Sequence, residues 1–373
     1  MMRDGRLFRY GESRDTLPEA ALLEEEFAAY MGRRFCVAVN SGGCALFIAL
    51  RSLGLGHGDR VLVNAFTLAP VPGAIAHAGA TPILVDINQR YTIDTADLDK
   101  KAAESGARCV VLSYMRGHIP DMHEVMDICQ SRGLLVVEDC AHTLGASWAG
   151  RLSGTFGDVG CFSTQAFKHM NSGEGGLLVT DDEDVAARAI LLSGSYMFYS
   201  QHRARPALEI FERHRYTTPN CSMRMSGLAA AILRPQLALL PQRNERWRAI
   251  YAALAPAVAA IDHIEVPSRP KQEEFVPSSL QFSLVGLTPG QITRFLAAAN
   301  THGVHLKFFG EAEAVGFTSR HDHWRYLDQT DQVPAANRIL RCLCDVRLPL
   351  GLSTVDCLTI ATVLREAMAE ATR

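Results

Sequence analysis

Cys161-Phe162-Ser163-Thr164-Gln165-Ala166-Phe167-Lys168 runs straight into His169-Met170-Asn171-Ser172-Gly173-Glu174-Gly175-Gly176. A short β-prone run ends in a serine, a single lysine follows five residues later, and a glycine-rich segment leads into a second apolar run, Leu177-Leu178-Val179-Thr180. Lysines are mostly exposed, so on its own Lys168 reads as a solvated loop residue. A lysine amine is also a nucleophile that condenses with a carbonyl cofactor. The rest of the chain decides between the two.

Upstream, apolar runs alternate with helical patterns. Cys36-Val37-Ala38-Val39-Asn40, Val61-Leu62-Val63, Pro82-Ile83-Leu84-Val85-Asp86, Cys109-Val110-Val111-Leu112-Ser113 and Leu134-Leu135-Val136-Val137-Glu138-Asp139 read as strands. Helices are expected over 16–32 (opening near Thr16), 45–53, 70–78, about 95–104, after Asp121, and up to about 193. Continuous apolar strands separated by helices predict βαβ units and a mainly parallel sheet covered on both faces. In such sheets chemistry gathers beyond the carboxyl ends of the strands. Glu138 and Asp139 fall at such an end.

Residues 194–223 read as a long polar, aromatic loop, and 224–256 as a long helix broken at Pro235 or Pro241. The character changes near 257, which divides the chain into a large α/β domain, 1–256, and a small α+β domain, 257–373. In the second, 282–285 and 304–306 are expected strands, Thr288-Pro289-Gly290-Gln291 opens a helix, and Ser353 starts a terminal one.

Bulk properties narrow the classes. The 373 residues are 48% hydrophobic and 21% charged, as in an ordinary globular protein. A formal net charge of -3 offers no footprint for nucleic acid or an anionic membrane. No apolar run reaches the roughly 18 residues of a membrane span. Met1-Met2-Arg3-Asp4-Gly5-Arg6 opens no signal-peptide core, so a cytoplasmic location is expected. Ten scattered cysteines suit a reducing compartment, and neither His321-Asp322-His323 nor Cys342-Leu343-Cys344 has metal-site spacing, so no metal is expected.

Gly54-Leu55-Gly56-His57-Gly58 follows a helix and precedes a strand, the reverse of a dinucleotide fingerprint, which excludes NAD. Ser41-Gly42-Gly43-Cys44, between a strand and a helix, is suited to present backbone N–H groups to a phosphate, or simply to cap the helix with Ser41. A phosphate turn, a strand-end acid and a lysine are the three contacts that pyridoxal 5′-phosphate (PLP) requires.

At this point several motifs converge on a known family. Ser41-Gly42-Gly43-Cys44-Ala45-Leu46, Gly79-Ala80-Thr81-Pro82-Ile83-Leu84-Val85-Asp86, Glu138-Asp139-Cys140-Ala141-His142-Thr143-Leu144-Gly145-Ala146, Gly157-Asp158-Val159-Gly160-Cys161-Phe162-Ser163 and Glu174-Gly175-Gly176 occur in this order. Together they resemble the DegT/DnrJ/StrS-type sugar aminotransferases, a branch of the fold-type I PLP enzymes, from about residue 10 to 240. The resemblance implies a seven-stranded-type PLP-binding large domain and a homodimer with sites at the interface; the loop 194–223 is the candidate cross-subunit element. It implies that Lys168 forms an internal aldimine and then moves the proton as general acid/base, while Asp139 pairs with the pyridine nitrogen. His142 would approach the phenolic oxygen, and the amides around Gly42, Gly43 and Cys44, with the Ser163 hydroxyl, would hold the phosphate. Lysine at 168 favours transamination over the family's dehydratase branch. The implied partners are glutamate or glutamine as amino donor and a keto group of a sugar, cyclitol or related intermediate as acceptor.

Three departures stand out. Leu68 occupies the place of a ring-stacking aromatic, Gly43 replaces a threonine, and Ser222-Met223-Arg224-Met225 replaces a motif that begins with asparagine and reaches the neighbouring subunit's phosphate. Leu68 and Ser222 keep an alternative open: elimination, decarboxylation or oxidation on the same cofactor, or a non-catalytic regulatory relative. In the C-terminal third, His305, Lys307 and Arg320 could meet an anionic substrate or be solvated charges.

Overall fold

The computed structural model describes residues 5, 7–11, 17–327 and 332–373. Thr16, the expected helix start, and the terminal residues 1–4 and 6 lie outside this set.

Seven strands build the large sheet: β1 Phe35–Val39, β2 Arg60–Asn64, β3 Thr81–Val85, β4 Cys109–Ser113, β5 Leu135–Asp139, β6 Val159–Ser163 and β7 Gly176–Thr180. Their spatial order is β1-β7-β6-β5-β4-β2-β3. The pairs from β3 to β6 are parallel, and β7 alone runs against its neighbours β1 and β6. Every residue of β1, β4 and β7 is buried, as a sheet covered on both faces requires. Alternate residues feed two apolar clusters: Cys36, Leu112 and Val136 join one, and Val37, Val111 and Val137 the other.

The connecting helices start and stop where local chemistry dictates. They are α1 Glu19–Met31, α2 Gly42–Ser52, α3 Pro70–His77, α4 Thr95–Ser105, α5 Met122–Arg132 and α6 Glu183–Ser193. Side chains of Ser41, Asp94, Asp121 and Asp182 cap α2, α4, α5 and α6. Left-handed Gly32, Gly106, Gly133 and Gly194 end α1, α4, α5 and α6.

Three expectations are corrected beyond α6. The region 194–223 is not one loop, since it contains a 3₁₀ turn at Phe198–Gln201 and helix α7, Leu208–His214, anchored by fully buried Phe211. Residues 224–256 form two helices, α8 Gly227–Ala238 and α9 Leu240–Ala259. The break is at Leu239: Pro235 is carried inside α8, while Pro241 occupies the first turn of α9, where a missing N–H costs nothing. The strand expected at 304–306 is displaced to Lys307–Phe308.

The second sheet has strands β8 Ile264–Glu265, β9 Ser279–Leu284, β10 Lys307–Phe308 and β11 Leu343–Arg347 in the order β8-β9-β11-β10, all antiparallel. Helix α10, Pro289–Thr301, carries the capping box anticipated from Thr288 and Gln291. Two more helices, α11 Pro334–Leu340 and α12 Thr354–Thr372, follow. Position 257 lies inside α9, and Trp247, Phe282, Phe295 and Leu364 share an apolar cluster with residues of the large sheet. Arg347, at the end of β11, comes to the cavity described next.

Candidate active site

A cavity of about 300 Å³ opens at the carboxyl ends of β4, β5 and β6 and the N-terminus of α2. Its walls include Gly42, Gly43, Leu68, Asp139, His142, Ser163 and Lys168. These residues come from four separate stretches of sequence, brought together by the parallel strand order.

The acidic pair divides its labour because successive strand residues face opposite ways. Glu138, fully buried, turns from the cavity and accepts from Tyr114 Oη at 2.6 Å and from the amides of Gly154 and Gly157, each at 2.7 Å. Asp139 faces the cavity. Its Oδ2 accepts from Ser113 Oγ at 2.7 Å and its Oδ1 from the Ala141 amide at 3.2 Å. Ser113 Oγ is in turn 2.7 Å from Thr67 Oγ1, and Asn64 Oδ1 accepts from the Ser113 amide at 3.0 Å. Burial raises the Asp139 carboxyl above its ordinary range, opposed by the Ser113 hydroxyl, Lys168 and the Ala141 amide.

Lys168 is not the solvated lysine of the ordinary reading. Its Nζ lies 2.7 Å from Nε2 of His142, a buried imidazole whose Nδ1 accepts from the Arg116 amide at 3.3 Å. An Nδ1 that accepts carries no proton, so the neutral ring holds its proton on Nε2 and donates it to the lysine. Only a neutral amine accepts. Burial pulls Lys168 down to about 7, with Arg116 and Arg347 adding to the shift and Asp139 opposing it. His142 is pushed well below its usual range by burial and by Lys168. Arg116, which orients the ring, sits in the left-handed region at φ 57°.

At the other end, Gly42 packs so tightly on β6 that a Cβ there would stand 2.8 Å from Ser163 Cβ and 3.2 Å from its Cα. Only glycine leaves the cradle open. The Cys44 amide is engaged by Ser41 Oγ at 3.0 Å, and Cys44 is absent from the cavity wall. Gly42 and Gly43, whose amides cap nothing within the helix, line it.

Leu68 lines the cavity as well, with Phe167 and Phe317 as aromatic neighbours, their ring centroids 6.5 Å apart. Ser222 does not line it. It is exposed at φ 53°, and its segment docks beside β1 through the Asn40 amide to Met223 O at 2.9 Å, with Arg224 Nη1 donating to Gly194 O at 2.8 Å. His305, Lys307 and Arg320 are also outside the wall. Lys307 bonds Val315 O, His305 bonds Asn300, and Arg320 bonds Glu311 O and Asp322. Sequence reading missed Ser113, Arg116, Phe317 and Arg347. Ser113 alone carried a signal, as the last residue of a central parallel strand.

Fold and cavity together define the class, that of the fold-type I pyridoxal-phosphate transferases. Within it the chain belongs to the DegT/DnrJ/EryC1/StrS aminotransferase family, whose model matches residues 10–345. It is 33% identical over 257 residues to the spore coat polysaccharide biosynthesis protein SpsC of Bacillus subtilis, covering 67% of this chain and 64% of that one. It is 35% identical over 222 residues to the L-glutamine:scyllo-inosose aminotransferase of Streptomyces griseus, covering 59% and 52%. The alignments thus span between half and two thirds of these relatives' own lengths. Among solved structures, S. venezuelae DesV in complex with a ketimine intermediate superposes with a TM-score of 0.82 at 26% identity, covering all of this chain and 92% of that one.

Proposed function

We propose that this chain is a PLP-dependent aminotransferase that moves an amino group from L-glutamate or L-glutamine to a keto group of a sugar, cyclitol or related biosynthetic intermediate. The observation that carries the reading is the Lys168 amine, 2.7 Å from His142 Nε2 in the cavity that Asp139 also faces. The name of the Streptomyces griseus relative supports a glutamine donor and a cyclitol acceptor.

The residues fit the cofactor. The amides of Gly42 and Gly43 and the Ser163 hydroxyl would hold its phosphate, in a cradle that a Cβ at 42 would fill. Asp139 would pair with the ring nitrogen, and His142 would meet the phenolic oxygen. When bound, PLP supplies a carbonyl to the lysine and an electron-accepting ring. This chain's own residues do the rest. Lys168, once free, shuttles the proton at the substrate's α-carbon, and its pKa near 7 suits a general acid/base at neutral pH. Ser113 orients Asp139 and favours its ionised form, while the Arg116 amide fixes the imidazole tautomer.

A homodimer completes the reading. Tyr196, Met197, Phe198 and Tyr216 project from residues 194–223 as exposed apolar side chains, which suits a subunit interface, and Ser222 with Arg224 would face the neighbour's phosphate. Ten free cysteines suit a reducing cytoplasm. Incubating the PLP-loaded protein with L-glutamate tests the assignment: conversion to the pyridoxamine form supports it. Failure with every amino donor favours the elimination, decarboxylation or oxidation that Leu68, in place of an aromatic, keeps in view.

A further inference from the structure

Arg347 ends β11 and lines the same cavity as Lys168. Its guanidinium carbon lies 4.9 Å from the ring centroid of Phe167, the residue that precedes the lysine. Among the described residues it forms no ion pair. The nearest acid on its own strand, Asp345, is already committed, accepting from Gln281 Nε2 at 2.6 Å and pairing with Arg116 Nη2 at 3.2 Å. The acids that line the cavity do not serve either, because Asp139 is held by Ser113 and Ala141, and Glu174 is exposed. Burial and the field of Arg116 both work against the Arg347 charge, and Asp345, which opposes them from two residues away, makes no ion pair with it. A guanidinium does not escape by deprotonating, so a half-buried one without an acid is a site prepared for an incoming anion. The cofactor's own phosphate is provided for elsewhere, at Gly42, Gly43 and Ser163.

We propose that Arg347 is the carboxylate-reading residue of this site, gripping with its two-pronged guanidinium a carboxylate carried on or next to the carbon whose nitrogen is exchanged. The assignment deepens the amino-transfer reading and rests on it. That carboxylate has two sources, the α-carboxylate of an amino-acid donor or an acid group on the keto acceptor. Planar bidentate recognition explains why arginine, rather than lysine, is suited to the position.

The test compares PLP-loaded wild type with Arg347→Gln and Arg347→Lys, using calorimetric binding of glutarate and 2-oxoglutarate and the half-reactions with L-glutamate and with benzylamine, which has no carboxylate. In Arg347→Gln, carboxylate affinity should fall at least ~30-fold, the usual scale for removing one partner of a desolvated charge pair. PLP affinity should hold, and the benzylamine rate should change far less than the L-glutamate rate, moving only as the lost Arg347 charge shifts Lys168. Arg347→Lys keeps the charge without the fork and should recover part of the loss, which keeps the test informative if the glutamine variant folds poorly. A loss shared by the L-glutamate half-reaction and by 2-oxoglutarate, the donor's own keto product, assigns the donor's carboxylate; weakened carboxylate binding beside an unchanged L-glutamate half-reaction assigns the acceptor's. Equal carboxylate binding in all three proteins, or an equal loss with benzylamine, overturns the proposal. So does weakened PLP binding with carboxylate affinity intact, because it would make Arg347 a phosphate ligand. If wild type binds carboxylates through Arg347 yet completes no half-reaction, the amino-transfer reading falls and the carboxylate assignment stands.

Discussion

Nζ of Lys168 and Nε2 of His142 stand 2.7 Å apart, on an imidazole whose other nitrogen faces the Arg116 amide. The Arg116 amide favours a neutral ring that carries its proton on Nε2, and such a ring donates to the lysine in its neutral form. In the cofactor-free protein the lysine should therefore react with a carbonyl or trinitrophenyl probe with a midpoint near pH 7 rather than near 10.5. Mass-resolved labelling of Lys168 across pH 6–11 measures this, and a midpoint above 9 would contradict the geometry.

The same shift has a thermodynamic sign. Between about pH 7 and 10.5 the unfolded lysine binds a proton that the folded one has released, so the cofactor-free protein gains stability as pH rises through that window. Lys168→Met should remove this slope, stabilise the cofactor-free fold at pH 7 by at least ~1 kcal/mol, and abolish amino transfer. Denaturant unfolding at several pH values, beside the L-glutamate half-reaction, checks both.

Asp139→Asn keeps the shape of the strand end and loses the anion. Turnover should fall roughly 10²–10³-fold, the scale for removing one preorganised electrostatic partner. Ser113→Ala should act more gently through the same carboxylate, because it deletes a hydrogen bond that favours the charged form. The pH dependence of the rate should then move to a higher acidic limb. An unmoved limb would mean that Ser113 only packs.

Gly42→Ala fills the space against Ser163. Cofactor affinity should drop at least ~10-fold, beyond the roughly 1–3 kcal/mol that the added Cβ costs the cofactor-free protein by overpacking. Fluorescence titration with PLP, paired with thermal unfolding, separates the two effects.

Glu24 lies fully buried where it accepts from Arg9 Nη2 and from the Ala38 amide, each at 2.6 Å, with His202 Nδ1 at 3.0 Å. Burial alone would raise its carboxyl, but Arg9 and His202 outweigh it and hold it low. Its contribution is thus present above about pH 4.5 and lost as pH falls through the folded value. His202, pushed down chiefly by burial, adds an acid-side loss that begins below about 6.5. Glu24→Gln should cost about 3–5 kcal/mol at pH 7, because it leaves Arg9 buried without its acid. It should also flatten the acid limb of a stability–pH curve.

The large sheet was legible in the sequence because each strand is a short apolar run and each helix carries its own cap and stop. Asp94, Asp121, Asp182, Gly106 and Gly133 all act within a few residues of themselves. What went unread acts across distance. Ser113 meets Asp139 only because β4 and β5 lie side by side, and Arg347 reaches Lys168 from 179 positions away (347 − 168). The shift of the strand from 304–306 to Lys307–Phe308 has a similar cause, since pairing with Cys344 and Asp345 sets the register. The cap that Ser41 offers α2 engages the Cys44 amide, one of the donors expected for the cradle.

The opposed faces of Glu138 and Asp139 have a practical meaning for anyone randomising this gene. Two neighbouring codons answer to unrelated assays. A library at 138 should sort by yield and melting temperature, since the acid there ties Tyr114, Gly154 and Gly157 together out of reach of any substrate. A library at 139 should sort by colour and turnover among proteins that express alike. A screen that scored growth alone would merge the two columns.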